Sequence, residues 1–471
     1  MVDILISGGT ILTQNADREL IPDGSIAITD NEITDVGPSD QIARDHSAER
    51  VIDATGKLVL PGLINAHTHV SDILLRGGFD PDRDLYDWLF NVKRAGIGAM
   101  DATDHATAAQ LYSYESIGSG VTTFVENDGE LPWNSDGKAA TEEKLGVYDD
   151  AGIRCIYARG MMDASPNDEL LSLVEKVQAR NPDTVHQPPG RFAADTETVL
   201  STVESLIDDY HGSADGRQSV WPAPVIIEAV TTECLRGAYE LAETHDVSMT
   251  IHVAEAAYQG TKTISSVEYL RNIGCLGERA LLAHCIYIDQ RDARILAETG
   301  TTVAHNIMSN LRLGGGFAPI RMLKDKGVTT CLGTDNAILS DTVNPINDLR
   351  LVASVHGGKM HDPGVISPQE ALDMVTVDAA AAIRRPDLGS LIPGRKADVI
   401  LLDLNKPYLT PMVDPVRAVV YGALGSEVET VICDGEIIMN EGRVTSLGDF
   451  HTLQQEATDT AAAIRERANI M

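Results

Sequence analysis

Eight short runs rich in β-branched residues recur through the middle of the chain, at about 62–67, 121–127, 154–161, 224–230, 248–254, 280–287, 301–306 and 329–335, with helical stretches between them. Successive βα units of this kind build a parallel sheet with its helices outside, and eight of them suit a closed (β/α)8 barrel of the TIM type. Such a barrel takes roughly 250 residues. The chain has 471, which leaves enough over for a second, smaller domain. The spacer from 163 to 223 is long and holds Asn181-Pro182, Pro188-Pro189-Gly190 and Trp221-Pro222, which predicts a loop excursion near the active face of the barrel.

Both ends of the chain have another texture. Ile4 to Ile6, Ile26 to Ile28, Ile33 to Val36 and Val51 to Asp53 alternate with turn signals at Gly8-Gly9, Asp30-Asn31 and Gly56, which predicts a small β domain. The same texture returns at Asp398 to Asp403, Val428 to Cys433, Asp434-Gly435 and Ile437-Ile438, so the two ends are expected to form one β-sandwich together. The predicted organisation is therefore α/β: sandwich from 1–59, barrel from 60–387, the rest of the sandwich from 388–445, and a terminal helix within 446–471. Thr452 to Ile470 has the spacing of an exposed amphipathic helix.

Seventy acidic residues against 37 lysines and arginines give a formal net charge of −33. A surface of that sign repels nucleic acid and anionic membranes, which removes both as expected partners. The acidic residues are scattered along the chain as a solvated coat, a composition that resembles proteins of salt-loving organisms. The six cysteines, at 155, 234, 275, 285, 331 and 433, form neither Cys-x-x-Cys pairs nor a dense disulfide framework. Reduced thiols, an opening without a signal-peptide pattern and no apolar run of spanning length predict a soluble, cytoplasmic protein.

Barrel enzymes gather their catalytic groups at the C-terminal ends of the strands. The first run, Pro61-Gly62-Leu63-Ile64-Asn65-Ala66-His67-Thr68-His69, ends in two histidines one residue apart. Alternate side chains of a strand share a face, so His67 and His69 can grip one ion. His252 ends the fifth run, His284 lies in the sixth, and Asp335 closes the eighth. Three imidazoles and a carboxylate from this group complete the protein ligands of zinc or ferrous iron and leave a position open for water. A lone His-x-His is as readily two polar residues at a strand end. Recurrence on equivalent strand ends favours the metal site.

With these pieces in place the chain resembles the amidohydrolase superfamily, in the branch that holds enzymes like cytosine deaminase, S-adenosylhomocysteine deaminase and the triazine hydrolases. The matching segments are Leu60 to His69, Leu74-Leu75-Arg76-Gly77, His252 with Glu255, His284, His305-Asn306 with Ser309-Asn310, Gly333-Thr334-Asp335, and a late Gly389 followed by Gly394 to Val399. The likeness implies a mononuclear site with His67, His69, His252 and Asp335 as ligands, zinc before iron. It implies that Glu255 and His284 are catalytic beside Asp335, and that the reaction removes an amino group from a nitrogen heterocycle of purine, pyrimidine, pterin or triazine type. A bound divalent ion lowers the pKa of water to about 7, Asp335 takes the water's proton, His284 orients that water or stabilises the developing charge, and Glu255 protonates a ring nitrogen. A homo-oligomer, dimer or larger, is the corresponding expectation for assembly.

Rival readings are hydrolytic dechlorination or N-alkylamine removal on a triazine, hydrolysis of a cyclic amide of imidazolone type, and a non-catalytic binding barrel. Retention of the four ligands with Glu255 and His284 counts against the last. Trp88 falls where relatives pack a side chain on the substrate ring, His305 is placed at the barrel mouth, and Asn336 follows Asp335 as in some dechlorinating relatives; these three are the candidate substrate contacts. Relatives acting on adenosine-type substrates carry a sugar-contacting histidine after the fourth strand and an acid beyond the Trp88 position. Glu228 to Thr232 and Asn91 to Ile97 supply neither here. Glu228 is read as half of a buried ion pair outside the site, Asn310 as shaping a turn, and Gly314-Gly315-Gly316 as a flexible loop, since it lacks the lysine of a P-loop.

The charge of −33 sets many carboxylates against one another unless counterions screen them. The melting temperature is therefore expected to rise across a potassium chloride series from low to molar salt. A flat or falling series would show that the acidity is not an adaptation to salt.

Overall fold

The computed structural model describes residues 1–78, 88–163, 192–256, 259 and 264–470. Five strands open the chain: β1 (Val2–Leu12), β2 (Leu20–Thr29), β3 (Glu32–Pro38), β4 (Ala48–Asp53) and β5 (Lys57–Pro61). β1 pairs with β4 through Ser7 and with β5 from Thr10, changing partner at a bulge over Ser7 and Gly9. Gly8-Gly9, a turn signal in the sequence, is thus inside a strand. A Cβ on Gly9 would sit 2.7 Å from Val59 Cγ2, so only glycine lets β1 pass between its two partners.

The barrel follows as β6 (Leu63–His69), β7 (Val121–Asp128), β8 (Arg154–Met161), β9 (Gln218–Pro224), β10 (Met249–Val253), β11 (Ala280–His284), β12 (Thr302–His305), β13 (Thr330–Leu332) and the two-residue β14 (Asp335–Asn336). They form two parallel runs, β14-β6-β7-β8-β9 and β10-β11-β12-β13. A parallel bridge from Ile226 to His252 joins the runs on one side. On the other, β14 continues directly from β13 and pairs with β6, so the ring closes.

The fourth strand differs from its expected place, 224–230. It runs from Gln218 to Pro224, in register with β8, while Val225 to Val230 turn away through the short helix Ile227–Ala229. Pro222 and Pro224 hid it, because a strand interior normally rejects proline. The Val225 N–H donates to Met161 O on β8, so the odd-numbered N–H groups face β8, and the prolines take the alternate positions that face β10. Along that edge β9 has no ladder to lose.

The chain then returns through β15 (Val399–Asp403), β16 (Val428–Cys433), β17 (Glu436–Asn440) and β18 (Arg443–Val444) to the sheet begun at the start. β15 pairs antiparallel with β5, which makes one path of order β18-β17-β16-β15-β5-β1-β2-β3 with β4 on β1. Ile6, Ile26, Ile28 and Val59 from one end pack with Val399, Leu401 and Ile432 from the other in a core separate from the barrel's. The last helix, Phe450–Ala468, is amphipathic, as its spacing predicts, with most of its residues exposed. It buries Leu453, Ala457, Ile464 and Ala468 and packs on the helix Ala102–Gly118. The expected loop excursion falls largely on residues 164–191, outside the described residues. Among the described residues, no helix is long and apolar enough to cross a membrane.

Arg154, at the start of β8, ties the barrel to this end sheet. Its Nη2 reaches Asp398 Oδ1 at 3.2 Å and Asp434 Oδ1 at 3.0 Å, with all three side chains buried. Removing one partner from a buried ion cluster leaves charge without compensation, at a cost of about 3–5 kcal/mol. Arg154→Ala is expected to lower the urea midpoint accordingly, and an unchanged midpoint would show that the two parts are held together by their apolar contacts alone.

Candidate metal centre and active site

The seam between β14 and β6 builds the site. Asp335 pairs with Thr68 and Asn336 with His69. Asn65 latches the seam: its Nδ2 donates to Thr334 Oγ1 at 2.8 Å, and its Oδ1 accepts the Thr334 N–H at 3.0 Å. A Cβ on Gly333 would fall 2.6 Å from the His67 carbonyl oxygen, so the approach of the two segments needs a glycine there. Asp335 itself holds φ +58, His284 +74, and Ala254 and Cys285 +51 and +50. Left-handed backbone at four residues of three strand ends is strain held by the surrounding structure, concentrated where side chains must turn into the mouth.

Four imidazoles and one carboxylate converge there. Asp335 Oδ1 lies 3.6 Å from His67 Nε2 and 3.3 Å from His69 Nε2; His69 Nε2 lies 3.3 Å from His252 Nε2. An ion held at about 2.1 Å by tetrahedral donors separates them by about 3.4 Å, so these spacings suit one small divalent ion. His67, His252 and His284 form one set of candidate donors, and His67, His69 and Asp335 another. His67 Nε2 and Asp335 Oδ2 are buried without a hydrogen-bond partner, as donors awaiting a cation would be.

The opposite ring nitrogens decide the tautomers. His69 Nδ1 donates to the Asn127 carbonyl oxygen at 2.7 Å, and His252 Nδ1 to that of Val225 at 2.8 Å. His284 Nδ1 donates to Asn310 Oδ1 at 2.8 Å, and the Asn127 side-chain amide lies 2.9 Å from His67 Nδ1. With that amide turned oxygen-first, all four rings carry their proton on Nδ1 and turn an unprotonated Nε2 inward, that of His284 with the Asn306 amide nitrogen 3.3 Å away. Burial holds His67 below the usual histidine range and His69 and His252 well below it, which keeps the rings neutral.

Two carboxyl groups flank His284 Nε2, Glu255 Oε1 at 4.0 Å and Asp335 Oδ2 at 3.8 Å. Burial pushes Glu255 above its ordinary range. Burial would raise Asp335 too, but contact with His67 and the fields of His284 and His69 hold it well below. A cavity of about 80 Å³ opens above them, walled by Trp88, Leu89, Lys93, Glu130, Gln259 and Asn336. Asn336 Nδ2 donates to Asp335 Oδ1 at 2.7 Å.

His67, His69, His252, Glu255, His284 and Asp335 are therefore brought together, with Trp88 and Asn336 on the cavity wall. His305 is placed otherwise: it is fully buried behind the site, with Nε2 3.3 Å from His356 Nε2, and does not line the cavity. Glu228 lies in the turn after β9 and is also off the cavity wall. Asn310, expected to shape a turn, instead orients His284. Asn127, Lys93 and Glu130 went unnoticed in the sequence. The polar ending Glu126-Asn127-Asp128 on an otherwise apolar strand was the available signal for Asn127.

The sequence profile of the amidohydrolase family matches residues 58–438. The chain belongs to that family. It is 32% identical over 469 residues to a 5'-deoxyadenosine deaminase of Methanothermobacter thermautotrophicus, covering 98% of each chain. It is 35% identical over 328 residues to an S-triazine hydrolase of Gordonia rubripertincta, covering 69% of this chain and 68% of that one. Among solved structures, the zinc complex of the atrazine chlorohydrolase of Arthrobacter aurescens TC1 superposes with a TM-score of 0.86 at 26% identity, covering 97% of this chain and all of the other.

If the donors of this amidohydrolase act together, His67→Ala, His69→Ala and Asp335→Ala should each lose bound metal along with activity, since each removes one ligand. Metal analysis of the purified proteins is the check, and full occupancy in all three would refute the coordination.

Proposed function

We propose that this amidohydrolase is a metal-dependent hydrolytic deaminase of an aminated nitrogen heterocycle, of purine, pyrimidine, pterin or triazine type. The observation that carries the reading is the pair of carboxyl groups driven in opposite directions on either side of His284. Two titratable groups whose surroundings push them apart divide the roles of acid and base. Similarity along nearly the whole chain to a deoxyadenosine deaminase supports the same reaction class.

His67, His69, His252 and Asp335 would hold one divalent ion, zinc before iron, and that ion supplies water of strongly lowered pKa when bound. Asp335, kept ionised, accepts the water's proton at Oδ2, the oxygen that faces His284. His284, its Nδ1 proton fixed on Asn310, presents Nε2 to the reacting oxygen and orients it. Glu255, its carboxyl pushed above the ordinary range by burial, is the group placed to donate to the ring nitrogen that gains basicity as the ring carbon becomes tetrahedral. The proton taken by Asp335 then passes to the amino group, the C–N bond breaks as ammonia departs, the remaining hydroxyl proton returns to Glu255, and the ring keeps the oxygen as an oxo group. Trp88 lies beside the substrate ring.

Val225 to Val230, directly after β9, contains no histidine, which favours a ring without the sugar of a nucleoside. Six free, buried cysteines favour a reducing, cytoplasmic setting. A second reading, hydrolytic dechlorination, draws on Asn336 beside Asp335 on the cavity wall. It ranks lower because chloride leaves without protonation and has less need of Glu255.

Matched amino- and chloro-substituted rings, followed for ammonia and chloride, test the reading. Ammonia and an oxygenated ring are expected, and consistently higher catalytic efficiency on the chloro compounds would overturn deamination. Glu255→Gln should keep its metal and turn over at least ~100-fold more slowly, the usual worth of a positioned acid; near-normal turnover would reduce Glu255 to a structural residue.

A further inference from the structure

Lys93 is a buried cation on the wall of the cavity, 3% exposed, at the end of the turn Leu89–Lys93. Its Nζ lies 3.4 Å from Glu130 Oε1 and 5.9 Å from the centre of the Trp88 ring. Among the described residues it has no nearer polar partner. An ammonium carries three N–H donors, and with Glu130 as its ion-pair partner among the described residues, Lys93 keeps donors for a molecule in the cavity it lines. Glu130, 7% exposed and two residues past β7, lines the same cavity with a second carboxylate oxygen in hand. Breaking the pair would strand a buried charge, while keeping it contributes little to stability.

We propose that Lys93 and Glu130 together read a second polar edge of the substrate. The pair is neutral as a whole, so an anionic or cationic substituent would leave uncompensated charge in the cavity. A neutral edge with an acceptor beside a donor meets both groups: a ring nitrogen or oxo group accepts a hydrogen bond from Lys93 Nζ, and an adjacent N–H or amino group donates one to a Glu130 carboxylate oxygen. The substrates are then diamino- or amino-oxo heterocycles, in which one amino group leaves and the far edge is held by this pair against the Trp88 wall. This assignment deepens the deaminase reading and rests on it.

The test compares a diaminopyrimidine with the corresponding monoaminopyrimidine, and a di- with a mono-aminotriazine. KM is measured on the metal-replete enzyme, and Kd is measured by calorimetry on the metal-loaded Glu255→Gln protein. A charge-assisted hydrogen bond to the second edge should make KM and Kd roughly 10- to 100-fold lower for the bifunctional ring. Lys93→Met should bring that ratio close to unity, and Glu130→Gln should reduce it by a smaller factor. If Lys93→Met fails to fold, as judged by circular dichroism, Glu130→Gln carries the comparison. Equal values for the two rings in the parent protein, or an unchanged ratio in either folded variant, overturn the assignment while leaving deamination intact. Absence of ammonia from every ring would instead overturn the deaminase reading, and the calorimetric ratio would still judge the pair.

Discussion

The closure of the barrel through β14 is the interaction on which the site depends. Two residues pair with the end of β6, and that register sets Asp335 against His67 and His69. A parallel barrel has a fixed stagger between strands, so a slip of one residue at the seam would turn Asp335 to the opposite face. Asn65 prevents the slip by exchanging two hydrogen bonds with Thr334, and Gly333 makes room for it. Apolar burial drives the strands together, but a handful of polar contacts at the closing edge chooses the register.

Around that seam, the groups behind the histidines matter as much as the histidines. A ring becomes a donor toward the centre only when its other nitrogen is committed elsewhere. Here the commitments come from segments other than the ring's own: the Asn127 backbone at the end of β7 for His69, the Val225 backbone just past β9 for His252, and the Asn310 side chain of the helix Ile307–Arg312 for His284. Each is a long-range contact, so the chemical form of every imidazole follows from the complete fold. Strained backbone at His284 and Asp335 fits the same account, since neither conformation would persist in an isolated strand.

Much of this was legible in one dimension. β-Branched runs separated by helical spacers marked seven of the eight barrel strands nearly in place, because strands buried on both faces carry a strong apolar signal. His67, His69, His252, Glu255, His284 and Asp335 stood out because polar groups at the ends of such runs are conspicuous. β9 was misplaced, since its prolines are tolerated where its edge toward β10 carries no hydrogen-bond ladder, and the absence of a ladder has no local signature. His305 followed the same strand-end rule as the others and still missed the cavity. It sits behind His284 and faces His356 from the helix Pro345–Met360, a neighbour unrelated to it in sequence.

By itself, the sequence determined the number and type of repeating units, the β texture of the two chain ends, and the inventory of donors, because each is written in local residue pattern and residue chemistry. Only the tertiary structure decided which of those donors meet, which nitrogen of each ring is bare, and that Lys93 and Glu130 pair on the wall of the cavity. Those outcomes depend on the register and closure of strands far apart in the chain, and local sequence patterns do not encode distances between such segments.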